Sequence, residues 1–143
     1  MTTSDQSTTT ITRQLIPENQ RMEITAKLFG VNFPLRLEPF IYGITDRIAE
    51  EYNGGYWNFY SFGEGGFYMA PSADKVFKVS CENGFEGELS ADALGITVCL
   101  YAYSNLSFGK PDNFTEVCAQ QYHLLREYMF EHAEVASILR AVD

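Results

Sequence analysis

The sequence predicts an α+β fold: a small, hairpin-rich antiparallel sheet of three to four strands packed with about four to five α-helices in a single domain. Three observations carry this expectation. Residues 50–71, "EEYNGGYWNFYSFGEGGFYMAP", hold eight aromatic rings in two runs separated by a glycine-rich turn, a strand–turn–strand pattern. Residues 75–89, "KVFKVSCENGFEGEL", centre on Asn83-Gly84, a pair suited to a tight hairpin turn. The flanking stretches place apolar residues at every third or fourth position, the period of an amphipathic helix. At 143 residues, 45% of them hydrophobic and 20% charged, the chain suits one domain with a core that needs no covalent staples.

Taken in order, "MTTSDQSTTT" is polar and of low complexity, and residues 1–12 are expected to form a flexible arm before a domain at 13–143. "IPENQRMEITAKLFG" reads as a modest helix. Pro17 suits its first position, Gly30 can close it, and Met22, Ala26 and Phe29 line one face. In "LEPFIYGITDRIAEEYNGG" the residues Phe40 or Ile41, Ile44, Ile48 and Tyr52 recur at helical spacing, and Asn53-Gly54-Gly55 ends the run.

The aromatic stretch follows. Trp57, Phe59 and Ser61 would share one strand face, with Tyr56, Asn58, Tyr60 and Phe62 on the other. A two-residue Glu64-Gly65 turn would set Phe62 beside Phe67 and Tyr60 beside Met69; a longer glycine-bulged loop fits equally well. In the second hairpin a type I′ turn at Asn83-Gly84 puts Phe85 and Leu89 on the polar side with Lys78 and Ser80, a conflict that points to a bulge or wider loop. "SADALGITVCLYAYSNLSF" opens on Ser90, a good N-cap, and has Asp92 as its only charge. A helix apolar nearly all round is a buried one, so this is the expected core helix. Lys110-Pro111 closes the segment. A third amphipathic helix starts at Thr115, with Val117 or Cys118, Tyr122, Leu125 and Met129 inward, and "EVASILRAV" supplies a short last one.

Composition narrows function. Ten Lys+Arg against 19 Asp+Glu give a formal charge of −9, and no basic stripe appears, which argues against direct nucleic-acid binding. Imitation of duplex DNA over its whole surface is also disfavoured: about twelve base pairs carry roughly 24 negative charges, and here the acids are interspersed with bases. Cys81, Cys99 and Cys118 form an odd set without a C-x-x-C, as expected in a reducing cytoplasm. The most apolar run, "LGITVCLYAY", is far short of the ~20 residues a membrane span needs.

No catalytic apparatus can be assembled from the residues present. His123 stands five residues after Cys118, not a usual metal spacing, and reads as a surface or helix-packing side chain. His132 in "FEHAE" lacks the second histidine of H-E-x-x-H. "G-x-S-x-G" is absent, Cys99 and Cys118 fall in apolar helices where a thiol is inert, and "GEGG" is too short for a phosphate loop. No catalytic residue, metal or cofactor is therefore expected. Glu82, Glu86 and Glu88 cluster on one hairpin and read first as a solvated face. The aromatic hairpin remains. Sheet packing accounts for many of its rings, while Trp and Tyr are also the residues of protein-binding hot spots. Tyr56, Trp57, Tyr60 and Glu64 are the candidate partner contacts.

At these residues the chain resembles the ArdB/KlcA-type antirestriction proteins carried on plasmids and other mobile elements. The resemblance rests on "GGYWNFY" (Gly54 to Tyr60) and "GGFYMAP" (Gly65 to Pro71), with "LSADA" (Leu89 to Ala93), "LSF" (Leu106 to Phe108) and "YHLLREY" (Tyr122 to Tyr128) in support. It runs from about Leu15 to Val142. Two places depart from the family pattern: "FGEGG" replaces a more usual Ser/Asn-Gly-Gly turn, and Ala133 follows His132 where proline is common. The resemblance implies a compact α+β domain that protects incoming DNA from host type I restriction-modification enzymes in the cytoplasm, by a route other than strong DNA mimicry. It brings no catalytic residues. The expected partner is the restriction enzyme or an associated host protein, with no direct nucleic acid and no membrane, and the expected state is a monomer. Two other readings are a partial DNA mimic acting through Glu82, Glu86 and Glu88, and a small enzyme built around His123.

Overall fold

Helix α3 (Ala91–Leu106) is the axis of the molecule, and eleven of its sixteen residues are buried. A computed structural model describes residues 11–143; of the expected arm at 1–12, residues 1–10 lie outside the described residues. Ser90 caps α3 as its sequence predicts, accepting the Ala93 N–H at 3.1 Å, a contact worth about 1 kcal/mol. The helix ends at Leu106, before the expected stop at Lys110-Pro111. Around it are β1 (Arg13–Leu15), α1 (Arg21–Phe29), α2 (Glu38–Ile48), β2 (Trp57–Phe62), β3 (Gly66–Pro71), β4 (Val76–Ser80), β5 (Glu86–Ser90), α4 (Asn113–Met129) and α5 (Val135–Val142). The strands form two antiparallel sheets, ordered β1-β2-β3 and β4-β5. The α+β expectation holds.

Strand β3 is buried along all six residues because α3 and α4 cover its outer edge. Gln121 accepts the Phe67 N–H at 2.9 Å and donates to the Gly65 carbonyl at 2.6 Å. The Tyr103 hydroxyl donates to the Phe67 carbonyl at 2.7 Å, and the Cys99 thiol reaches the Met69 carbonyl at 3.6 Å. Helix and strand touch at Gly95, where an added Cβ would stand 2.3 Å from the Ala70 Cβ and 2.5 Å from the Met69 carbonyl oxygen. A glycine inside a helix costs about 1 kcal/mol, and this close approach is the reason for one here.

Both turns are wider than two residues. Phe62 pairs with Gly66 and Tyr60 with Tyr68, so Gly63-Glu64-Gly65 forms a three-residue loop and the Glu64-Gly65 two-residue register is corrected. Gly63 and Gly65 take φ of 54° and 92°, values that L residues avoid. In the second hairpin Phe77 pairs with Leu89 and Ser80 with Glu86, leaving a five-residue loop that returns Phe85 and Leu89 to the buried side. The type I′ turn is thereby replaced. Asn83 instead accepts the Phe85 N–H and donates to the Arg140 and Ala141 carbonyls, tying the loop to the end of α5.

Helix α2 stops at Ile48 because Ala49 is extended and bridges Val79, so Tyr52 is not a helical residue. In α1 the buried residues are Thr25 and Phe29, and Met22, expected on the inner face, is 84% exposed. A π-type turn at Phe33–Leu37 leads directly into α2. Asp112 and Thr115 form a reciprocal cap at the start of α4.

Candidate functional site

The aromatic hairpin divides its rings between core and surface. Trp57 is 3% exposed: its ring packs edge-on to Tyr42 and Tyr52, and its indole N–H donates to the Tyr52 hydroxyl at 3.0 Å. An apolar ring with a satisfied donor belongs to the interior, so Trp57 is corrected from surface contact to core residue. Phe59 and Phe67 likewise pack into a cluster with Phe29 and Phe33. Tyr56, just before β2, is 51% exposed, and Glu64 is exposed in the turn. Tyr60 is half-buried, stacked on Tyr68 at 5.0 Å and covered by the Arg13 guanidinium at 4.1 Å. Tyr56 and Glu64 flank a six-residue strand, so roughly 20 Å separates them. The four candidates do not form one patch.

A polar node that the sequence reading did not assemble lies beside Tyr60. The Asp92 carboxylate accepts hydrogen bonds from the Tyr68 hydroxyl at 2.7 Å, from the His132 Nε2–H at 2.9 Å and from the Arg13 guanidinium. Arg13 also donates to the Tyr68 hydroxyl at 2.7 Å. The Glu134 N–H donates to His132 Nδ1 at 2.9 Å, which fixes the ring with its proton on Nε2. Glu134 in turn accepts from the Ser90 N–H and hydroxyl at the start of α3. Burial alone would raise the Asp92 carboxyl, but the hydrogen bonds from His132 and Tyr68 and the charge of Arg13 outweigh it and hold it below the usual carboxylate range. Burial pushes the Tyr68 hydroxyl far upward.

The node pairs an aspartate with a histidine as some hydrolases do, yet its geometry is structural. Both ring nitrogens of His132 are engaged, one by Asp92 and one by the backbone, so neither can take a proton from a substrate. A cleft of about 440 Å³ opens beside it, lined by Arg13, Asn58, Tyr60, Ser72, Asp74 and Asp92 among others, but not by either histidine. His123 is exposed on α4 with its ring against Tyr122. All three cysteines are free and buried, and burial pushes the Cys99 and Cys118 thiols up to about 12, which leaves almost no thiolate at neutral pH. Among the described residues no three His, Cys, Asp or Glu side chains are grouped to hold a metal ion. Glu82, Glu86 and Glu88 are exposed, and Glu88 stands opposite Lys78 across the β4-β5 ladder.

The three-stranded sheet edged by β1, the two-stranded β4-β5 sheet and the buried helix α3 define an α+β protein. A family model described as "Antirestriction protein" matches residues 50–143. An Escherichia coli antirestriction protein, KlcA, is 37% identical over 145 residues, covering all of both chains. A second E. coli KlcA is 39% identical over 90% of each chain, and the uncharacterised protein YafX of E. coli K12 is 38% identical over 90% of this chain and 85% of its own. A solved structure superimposes with a TM-score of 0.85 and 38% identity, covering 93% of this chain and 95% of that one. It comes from work on KlcA and ArdB, which showed a novel fold and antirestriction activity against type I DNA restriction systems in vivo but not in vitro. The chain belongs to the antirestriction protein family. No helix of the described residues is long and apolar enough to cross a membrane.

Proposed function

We propose that this chain protects DNA arriving on a mobile element from the host's type I restriction-modification enzymes, working in the cytoplasm as a binding protein and not as an enzyme. The observation that carries the reading is the end-to-end match to relatives named as antirestriction proteins, at 37% identity and with the fold preserved at a TM-score of 0.85. Protein contact is the mechanism that the side chains favour. His132 has no free nitrogen, the thiols are buried, and the negative charge is too sparse for a duplex. Activity of KlcA and ArdB in vivo but not in vitro fits a target that includes a host component missing from a purified assay.

On this reading Tyr56 and Glu64 are surface contacts, and Tyr60 is a half-buried support for the face between them. Expression in a restricting E. coli host should raise the survival of unmodified plasmid or phage at least tenfold. Tyr56→Ala removes a half-exposed ring that makes no side-chain hydrogen bond but lies 4.7 Å from the Arg21 guanidinium, and should reduce that protection severalfold while changing stability by less than about 1 kcal/mol. Full protection by Tyr56→Ala and Glu64→Ala together would remove the hairpin ends from the interface.

A further inference from the structure

Met22, 84% exposed, and Val31, 70% exposed, line one groove; Leu35, 71% exposed, stands one turn beyond Val31, and Tyr56, 51% exposed, lies against Arg21 of the same groove. Between α1 and the π-type turn runs a groove of about 570 Å³, walled by Met22, Val31 and Pro34, with the buried rings of Phe33 and Phe59 behind it. Val31 and Leu35 stand one helical turn apart, joined by a Leu35 N–H to Val31 carbonyl bond, and continue the ridge. Arg21 and Glu38 line the same groove. Single exposed apolar residues are ordinary, but a ridge and groove together mark an interaction surface.

The charged residues of the groove's lining are Arg21 and Glu38, and the Glu38 carboxylate is already engaged by the Tyr42 hydroxyl at 2.9 Å. Arg21 is held there by its own contacts: one terminal nitrogen donates to the Trp57 carbonyl at 2.7 Å, and the guanidinium lies over the Phe59 and Tyr56 rings at 4.1 and 4.7 Å. Its Nε–H is buried out of a ligand's reach, and among the described residues no carboxylate pairs with the guanidinium. A planar guanidinium fixed on two rings at the groove wall and lacking an ion pair is suited to a carboxylate.

We propose that this groove receives an apolar segment of the host protein that the chain engages, and that Arg21 receives a carboxylate on that segment. The inference rests on the protein-contact reading above and names its surface. The occupant is a stretch with apolar residues at every third or fourth position and Asp or Glu at one end, the complement of the ridge and of Arg21.

The test places the photo-crosslinker p-benzoylphenylalanine at position 22 and irradiates restricting cells that express the full chain. The expected result is a crosslink to one host peptide of apolar and acidic composition, absent when the crosslinker sits at Glu116 on α4. Val31→Glu and Leu35→Glu, both at exposed sites, should leave the melting temperature unchanged, abolish the crosslink and lower plasmid survival at least tenfold. Crosslinking to a second copy, to many unrelated peptides or to nothing would overturn the proposal, as would full protection by the two glutamate variants. The two readings fail separately: if the unaltered chain gives no protection, the antirestriction reading falls, and the crosslinked peptide still decides the groove.

Discussion

Asp92 is the residue on which distant parts of the chain meet: it joins Arg13 of β1, Tyr68 of β3 and His132 before α5 to the first turn of α3. Its carboxyl titrates below the ordinary value of ~3.9, so the stability it contributes is whole above about pH 4 and is lost as pH falls through its folded value. Asn at this position keeps one acceptor for Tyr68 and Arg13 but turns an N–H₂ toward the His132 Nε2–H, which cannot become an acceptor while Nδ1 holds the Glu134 N–H. With side chains 27% and 38% exposed at Asp92 and Arg13, solvent softens the loss. Asp92→Asn is expected to cost about 2 kcal/mol at pH 7, measured by urea unfolding, and the gap to the unaltered chain should close below pH 4. A gap that does not change with pH would remove the carboxylate charge from the account. The sequence exposed one half of this node and hid the other. Asp92 is conspicuous as the lone charge of an apolar helix, but its partners lie 40 and 79 residues away, beyond the reach of any local periodicity. Trp57 shows the opposite failure: a ring rich in binding potential is legible by type, while its burial depends on Tyr42 and Tyr52 arriving from other segments.

At the scale of elements, the parts that could be read were those whose pattern is repeated along their own length. Helix α4 shows its inward face in Cys118, Leu125 and Met129, α3 shows its burial in an unbroken apolar run, and the first hairpin shows two aromatic strands. Strand β1 could not be read, because three exposed residues have no alternation and gain their strand geometry only from pairing with Phe62, Ser61 and Tyr60. The end of α2 was missed for a similar reason: Ala49 leaves the helix to bridge Val79, thirty residues on. Register depended on turn length, which Gly63-Glu64-Gly65 permits in two forms and tertiary packing decides. Gln121 shows how that packing works. Buried among apolar neighbours on α4, it satisfies one N–H and one C=O at the start of β3, where no further strand can pair. Gln121→Leu preserves volume and leaves both backbone groups without a partner, at a cost of about 2–4 kcal/mol. The Phe67 amide should then lose its hydrogen-exchange protection ahead of the β2 amides. Uniform protection across both strands would show that another group, or water, had taken the place of Gln121.

Across the whole molecule, charge is arranged by region and not as a continuous acidic sheath. The basic excess falls in the segment 13–37, and residues 38–143 carry most of the acids that set the net charge of −9. Such a field favours solubility and repels phosphate without presenting the evenly spaced negative charge of a duplex. The strongest local acidic feature is the β4-β5 hairpin, where Glu82, Glu86 and Glu88 are exposed, yet Lys78 faces Glu88 across the ladder and interrupts the run. A chain that works by occupying a DNA channel would depend on this hairpin; one that works through its apolar groove would not. Replacing Glu82→Lys and Glu86→Lys, with Glu88→Gln to avoid setting like charges against Lys78, takes the formal charge from −9 to −4, since each reversal adds two and the neutralisation adds one. The substitutions are at exposed positions and should change stability by less than about 0.5 kcal/mol each. Plasmid survival in a restricting host should stay within twofold of that given by the unaltered chain. A tenfold loss, with folding intact, would transfer the working surface from the groove and hairpin ends to the acidic ribbon and make phosphate imitation the better account.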